Sequence, residues 1–109
     1  MLTNCTVTIY HRDRKSGTYS RDVRRAWLFG RSGARVSTDG FADDSTCVIR
    51  IPTMDKIKAS VGDLLVLGEG IDIVSAADLA DGYTTIMSVT DNRRGGSPHW
   101  RIDGRGDGV

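Results

Sequence analysis

The second half of the chain, VGDLLVLGEGIDIVSAADLADGYTTIMSVTDNRRGGSPHWRIDG over Val61–Gly104, decides the fold. A Gly-Asp turn precedes the apolar run Leu64–Leu67, Tyr83–Val89 alternates along the chain, and a Gly-rich turn leads into His99–Ile102. Short runs of this kind, separated by turn residues, are typical of β-strands. This half therefore predicts a small closed or nearly closed β-sheet domain.

The first half adds further strands. Cys5–Tyr10 (CTVTIY) alternates, Thr18–Phe29 continues as a strand or hairpin partner, and Thr46–Ile51 (TCVIRI) is stopped by Pro52. Trp27 and Phe29 are expected on one apolar face. The fold class predicted is all-β, a small barrel or sandwich of about six strands.

Two segments of the prediction are not strands. Ser75 is a suitable N-cap for a short helix over Ala76–Ala80, ended at Gly82, and 53–60 forms a charged connection with room for one helical turn. Residues 1–109 make a single domain. Residues 103–109 are expected to be a flexible Gly-rich C-terminal tail.

The composition argues against several functional classes. No run approaches the roughly 18 apolar residues of a membrane span, and no signal peptide is visible, so we expect a chain made in the cytoplasm with no membrane partner.

Cys5 and Cys47 fit no metal spacing and are expected to be reduced. Cys47, His99 and Asp91 would be the one nucleophilic grouping available, and no motif brings them together. No calcium loop or nucleotide-binding glycine motif occurs. We therefore expect no catalytic residues, no metal and no cofactor.

The net charge of +1 hides a strong segregation along the chain. Residues 10–35 contain eight basic and two acidic side chains, whereas residues 36–92 contain ten acidic and three basic ones. Charge asymmetry of this kind concerns partners and assembly. The candidate interface with another subunit or a partner consists of Arg12, Arg14, Arg21, Arg24, Arg25, Arg93 and Arg94.

The order of these strands and turns resembles the small head–tail joining proteins of tailed bacteriophages, also called stopper or head-closure proteins, and the related prophage minor capsid proteins. Thr6–Arg12 (TVTIYHR) precedes the tryptophan-bearing Ala26–Gly30, and Val48–Pro52 precedes the turn Val61-Gly62-Asp63. Tyr83–Arg93 and Pro98–Ile102 then resemble the closing strands of that family.

The resemblance implies a β-barrel subunit, without enzymatic activity, in a ring of roughly 6 or 12 copies between portal and tail in the virion neck. It also implies portal, adaptor and tail proteins as partners, with non-specific contact to packaged DNA. In that family a loop reaches towards the DNA channel. The matching segment here is the weakly structured stretch Arg31–Ser45, whose candidate channel residues are Arg31, Arg35, Asp39, Phe41, Asp43 and Asp44.

Two alternatives stay open at this point. One is a tail or tail-tip structural protein of similar size. The other is an OB-like nucleic-acid-binding module, for which the arginines near Trp27 and Tyr19 would supply phosphate contacts and stacking. The expected interior position of Trp27 and the acidic middle of the chain argue against this second alternative.

Overall fold

The computed structural model describes residues 3–32, 35–37, 40–42, 46–79 and 82–106. The strands are β1 (Cys5–Arg12), β2 (Tyr19–Ser32), β3 (Arg35–Ser37), β4 (Gly40–Ala42), β5 (Thr46–Ile51), β6 (Leu64–Leu67), β7 (Thr84–Asn92) and β8 (His99–Gly106). A 3₁₀ helix spans Ala76–Leu79 between β6 and β7. None of the helical segments in these ranges is long and apolar enough to cross a membrane.

Six of the strands form a closed antiparallel barrel in the order β1-β2-β5-β8-β7-β6. Closure comes from β1, which pairs with β2 on one side and with β6 on the other, so that Tyr10 lies opposite both Arg21 and Leu64. A barrel avoids the exposed edges of an open sheet of the same strands. The predicted all-β fold of about six strands is therefore confirmed.

The interior is filled by alternate side chains from several strands. Ile9, Ile49, Leu65, Ile86 and Ile102 are fully buried, and Trp100 is nearly so. Trp100 and Ile102 therefore share the buried face of β8. Burial of each such side chain stabilises the fold by about 1.5–3 kcal/mol, and together they set the strand register.

Strand β1 is buried on both faces. Val7 and Ile9 point into the barrel, whereas Thr8 and Tyr10 on the outer face are also fully buried. Residues 68–79, which we call the insert, cover that outer face, where Ile73 packs with Tyr10. The apolar outer side of β1 and β6 is thus removed from water by a segment that lies outside the barrel.

The expected interior position of Trp27 was wrong. Ala26 is fully buried and Leu28 packs against the core, so Trp27 lies between them on the outer face, where it is half-buried. The pairing of β2 with β5 shifts between Leu28 and Gly30. The side chain of Phe29, expected on the same face as Trp27, lies outside the described part of the structure.

The connection after β5 crosses one end of the barrel as an extended strap, residues 52–63, and contains no helical turn. Ile57 from the strap enters the core, and the Trp100 indole N–H donates to the carbonyl of Asp55 at 2.9 Å. β5 pairs only with the second half of β2. The strap runs beside the first half, where a further strand would otherwise lie.

The predicted short helix is confirmed in position but is a 3₁₀ turn, and Asp78 caps it by accepting from the backbone N–H groups of Val74 and Ser75. The expected tail was wrong for residues 103–106, because β8 continues to Gly106 and pairs there with Thr84. Residues 107–109 lie outside the described part.

The segment expected to be a loop, Arg31–Ser45, contains regular structure. β2 extends through Arg31 and Ser32, and β3 pairs with β4 in a separate two-stranded sheet that includes Arg35 and Phe41. Asp39, Asp43 and Asp44 lie outside the described residues. The excursion from the barrel is therefore in part a β-hairpin placed between β2 and β5.

Candidate interaction surfaces

One end of the barrel collects positive charge from two distant parts of the sequence. The turn between β1 and β2 meets the strap there, and a groove of about 500 Å³ between them is lined by His11, Tyr19, Lys56 and Lys58, with Asp13, Thr18 and Ser20. A neighbouring groove is lined by Arg12, Arg14 and residues 60–63 of the strap. We call Arg12, Arg14, Lys15, Lys56 and Lys58 the basic end. None of these five makes an ion pair with any residue that the structure describes.

Asp63 fastens the strap at this end. Its carboxylate is buried and accepts hydrogen bonds from the backbone N–H of Ser60 at 2.8 Å and of Arg12 at 3.4 Å. His11 Nδ1 lies 2.7 Å from the Asp63 carboxylate. A buried carboxylate is tolerated when its oxygens are hydrogen-bonded in this way. No local sequence pattern marks this pair, which the folding of β1 against the strap brings together across 52 positions.

Three of the seven predicted interface arginines instead make internal contacts. Arg24 bonds Asp22 at 2.9 Å and Asp55 at 3.0 Å, joining β2 to the strap. Arg93 makes a two-pronged contact with Asp91 and lies 4.8 Å from the centre of the Trp100 ring. Arg21 binds the insert through Asp72 and the carbonyl of Gly70. These contacts orient the strap and the insert.

The other four predicted arginines are exposed. Arg12 and Arg14 belong to the basic end, and Arg94 lies in the turn between β7 and β8. Arg25 donates to the hydroxyl of Thr6 at 3.0 Å and meets no carboxylate among the described residues. The predicted interface thus contains exposed cations on separate parts of the surface. Lys56 and Lys58, from the mainly acidic stretch 36–92, join Arg12 and Arg14 at the basic end.

A second basic surface lies on the outer wall of β5 and β8. Trp27 is opposite Arg50, and Arg50 is opposite Arg101, so that the three form one row across neighbouring strands. Arg105 is exposed and lies four residues after Arg101 on the same outer face of β8. Asp103 is the one acidic residue of the β5 and β8 outer faces in this part of the structure. It accepts from Ser88 at 2.6 Å and forms an ion pair with Arg101 at 3.4 Å. We call Trp27, Arg50, Arg101 and Arg105 the arginine wall.

The insert has the opposite character. Its charged residues are Glu69, Asp72 and Asp78, with no lysine or arginine. Ile71 and Val74 are 68% and 85% exposed, which is high for large apolar side chains. The insert is nevertheless held firmly, because the Tyr10 hydroxyl donates to the carbonyl of Ile71 at 2.7 Å and Thr8 bonds both Gly68 and Gly70.

The residues of the hypothetical nucleophilic grouping lie apart. Cys47 is opposite Gly104 on β8, five residues from His99, or about 17 Å along the strand. His99 contacts Asn92 and the carbonyl of Ser97. Cys5 and Cys47 form no disulfide bond, and burial raises the pKa of the Cys5 thiol. No group of three or more potential metal ligands is present in the described ranges.

These features define a closed six-stranded antiparallel barrel with a hairpin excursion, a covered outer face and separated surfaces of opposite charge. The model of a protein family of unknown function, DUF6751, matches residues 2–105, and the chain belongs to this family. Neither the search of curated proteins nor that of solved structures gives a match.

Proposed function

We propose that this protein is a structural component of the neck of a tailed bacteriophage, where copies form a ring that joins the portal to the tail. The observation that carries the proposal is the basic end, where five cations without an ionic partner in the described structure gather at one end of a closed barrel. The proposal also rests on the resemblance of the strand-and-turn order to head–tail joining proteins, for which a β-barrel subunit is expected.

The basic end suits docking onto an acidic surface. Side chains that are already paired gain little from a new partner, whereas Arg14, Lys15 and Lys58 keep their full charge for one. Complementary charge raises the rate and specificity of docking more than the final affinity. We propose that this end binds an acidic ring of the portal or adaptor, so that copies are oriented as they load.

The hairpin of β3 and β4 suits a role away from the barrel. It branches from the barrel between β2 and β5 in the sequence. In the described structure its two strands pair only with each other. A strand pair that adds nothing to barrel closure is free to serve another purpose. We propose that this hairpin reaches the channel of the ring and contacts the packaged DNA there.

Loading onto purified portal complexes tests the docking role. The variant Arg14→Glu/Lys15→Glu/Lys58→Glu reverses three exposed cations of the basic end. Arg25→Glu is the control, because it reverses an exposed cation on the side of the barrel, within β2. We expect the triple variant to fold normally and to lose saturable loading at moderate salt, with Arg25→Glu unaffected. Equal loading by the wild type, the triple variant and the control variant would contradict the proposal. Loading onto tail complexes but not onto portals would favour the tail-protein alternative.

A nucleic-acid-binding module is the second candidate, because Trp27 lies outside the core in a row with two arginines. Aromatic rings beside cations bind single-stranded nucleic acid by stacking and by phosphate contacts. Titration with a single-stranded oligonucleotide at two salt concentrations distinguishes the two functions. Tight binding by a monomer, weakening steeply with salt and lost in Trp27→Ala, would favour this candidate over the ring.

A further inference from the structure

The insert and the arginine wall lie on opposite sides of the barrel. In the closed order β1-β2-β5-β8-β7-β6, β8 is three strands from β1, and β5 is three strands from β6. The insert covers the outer face of β1 and β6, and the wall is the outer face of β5 and β8 together with Trp27. The two surfaces therefore cannot meet within one molecule, but they can meet between two copies.

The chemistry of the two surfaces is complementary. The insert presents exposed Ile71 and Val74 beside acidic residues. The wall presents the indole of Trp27 among arginines, whose planar guanidinium groups bind carboxylates and stack on apolar surface. Central aromatic and arginine side chains are the ones that dominate binding energy in protein interfaces.

The insert is also arranged in advance for such a contact. Tyr10, Thr8 and Arg21 hold its backbone from below, and Asp78 closes its turn from within. Docking a segment that is already ordered avoids most of the entropy cost of fixing a mobile loop. The exposure of Val74 then follows from its position at the outer side of a fixed segment.

We propose that residues 68–79 of one copy dock onto the arginine wall of the next copy, with Ile71 and Val74 against Trp27 and with Glu69 near Arg105, since Asp72 and Arg101 already have ionic partners within their own chain. The contact is heterologous, so each copy keeps one free surface of each kind, and successive copies close into a ring when the rotation between them permits. The inference rests on the proposed ring function and supplies its subunit contact.

Charge reversal with rescue tests this contact on the full chain. The wall variant is Arg105→Glu, the insert variant is Glu69→Lys, and the combined variant carries both changes. Asp72 and Arg101 are left unchanged because each has an ionic partner within its own chain. Arg94→Glu is the control, because Arg94 lies in the turn between β7 and β8. Particle mass is measured over a concentration series, for the chain alone and for the chain loaded onto portal complexes. Circular dichroism confirms the fold of each variant.

We expect each of these two variants to raise the concentration of half-assembly about fivefold, and the combined variant to recover most of that loss. Trp27→Ala and Val74→Ser should weaken assembly without altering charge, whereas Arg94→Glu should leave it unchanged. Oligomers of wild type that are unaffected by all of these changes would overturn the contact and leave the ring proposal standing. A wild-type chain that remains monomeric, alone and with portal complexes, would overturn both the contact and the ring proposal. Trp27→Ala that assembles normally but loses oligonucleotide binding would assign the wall to nucleic acid instead.

Discussion

Trp27 and Arg50 are cross-strand partners on the outer face of the barrel, where β2 meets β5. Their neighbours along the strands, Ala26 and Ile49, are fully buried on the inner face. A small residue thus occupies the interior of β2 while its tryptophan faces outwards. This arrangement places Trp27 on the outer face of the barrel and leaves the core to Ile, Val, Leu and Trp100.

The two arginines at positions 24 and 25 should respond differently to reversal. Arg24 is tied to Asp22 and Asp55, so Arg24→Glu places three carboxylates together and should lower the free energy of unfolding by about 1–3 kcal/mol. Arg25→Glu loses one exposed hydrogen bond to Thr6 and should change it by less than about 0.5 kcal/mol. Urea denaturation measures both, and equal losses would contradict the assignment of Arg24 as an internal tie.

The insert should depend on the absence of a side chain at position 70. A Cβ added to Gly70 would lie 2.0 Å from the Tyr10 hydroxyl oxygen and 3.2 Å from a methyl group of Val66. Gly70→Ala should therefore push the insert away from β1 and destabilise the protein by about 1–3 kcal/mol. Gly96→Ala is the matched control, because nothing lies within 4 Å of its added Cβ. Comparable unfolding midpoints for the two variants would show that the insert is not packed as described.

The buried Asp63 should be sensitive to loss of its charge. Asp63→Asn keeps the size of the side chain but replaces one acceptor oxygen with an NH2 group, so it can no longer accept both from His11 and Ser60 at one oxygen and from the backbone N–H of Arg12 at the other. We expect a loss of about 1–3 kcal/mol, measured by urea denaturation near neutral pH. Asp72→Asn is the control, since the Asp72 side chain is 87% exposed. A loss in Asp63→Asn no larger than in the control would contradict the role of Asp63 in fastening the strap.

Acid should weaken the attachment of the strap. The hydrogen bond from Arg24, followed by the charge of Arg24, lowers the pKa of the exposed Asp55 below its ordinary value of 3.8. A carboxyl group whose pKa is lower in the folded state stabilises the fold above its ordinary pKa, and this contribution is lost as the pH falls through the lowered value. The urea midpoint should therefore fall between about pH 5 and about pH 3, and the fall should be smaller in Asp55→Asn. An identical pH profile for the two proteins would argue against the tie between Arg24 and Asp55.

The hairpin should be dispensable for the barrel. Replacing residues 35–42 with a short glycine-serine turn removes two strands that pair only with each other in the described structure. We expect the thermal midpoint to shift by no more than a few degrees, whereas phage particles carrying the variant should lose packaged DNA faster than wild type. A variant that unfolds would show that the hairpin supports the core, and intact DNA retention would contradict its proposed place in the channel.

Much of the barrel could be predicted because its strands alternate cleanly. Cys5–Arg12, Thr46–Ile51 and His99–Ile102 each place apolar residues at every second position, which determines strand type and the buried face together. The failure at Trp27 has a physical cause, since Ala26 and Leu28 occupy the inner face of β2 and regular alternation leaves the larger Trp27 between them on the outer face. A bulge near Met87 lets Val89 pack against the core while Met87 is exposed.

The candidate surfaces were less predictable, because they depend on contacts across long distances in the sequence. Local charge counting put Lys56 and Lys58 in an acidic region, whereas the strap carries them to the basic end. It also grouped Arg24 with exposed arginines, although folding gives it two carboxylate partners. The Gly-Ile-Asp segment after Gly68 gave no sign that Tyr10 would hold it, since that contact spans 61 positions.

Mass photometry of the purified chain, alone and with portal complexes at low and moderate salt, tests the central claim most directly. The ring proposal predicts discrete species of roughly six or twelve subunits, or saturable loading onto the portal. A chain that stays single at every concentration and does not load onto the portal would contradict it.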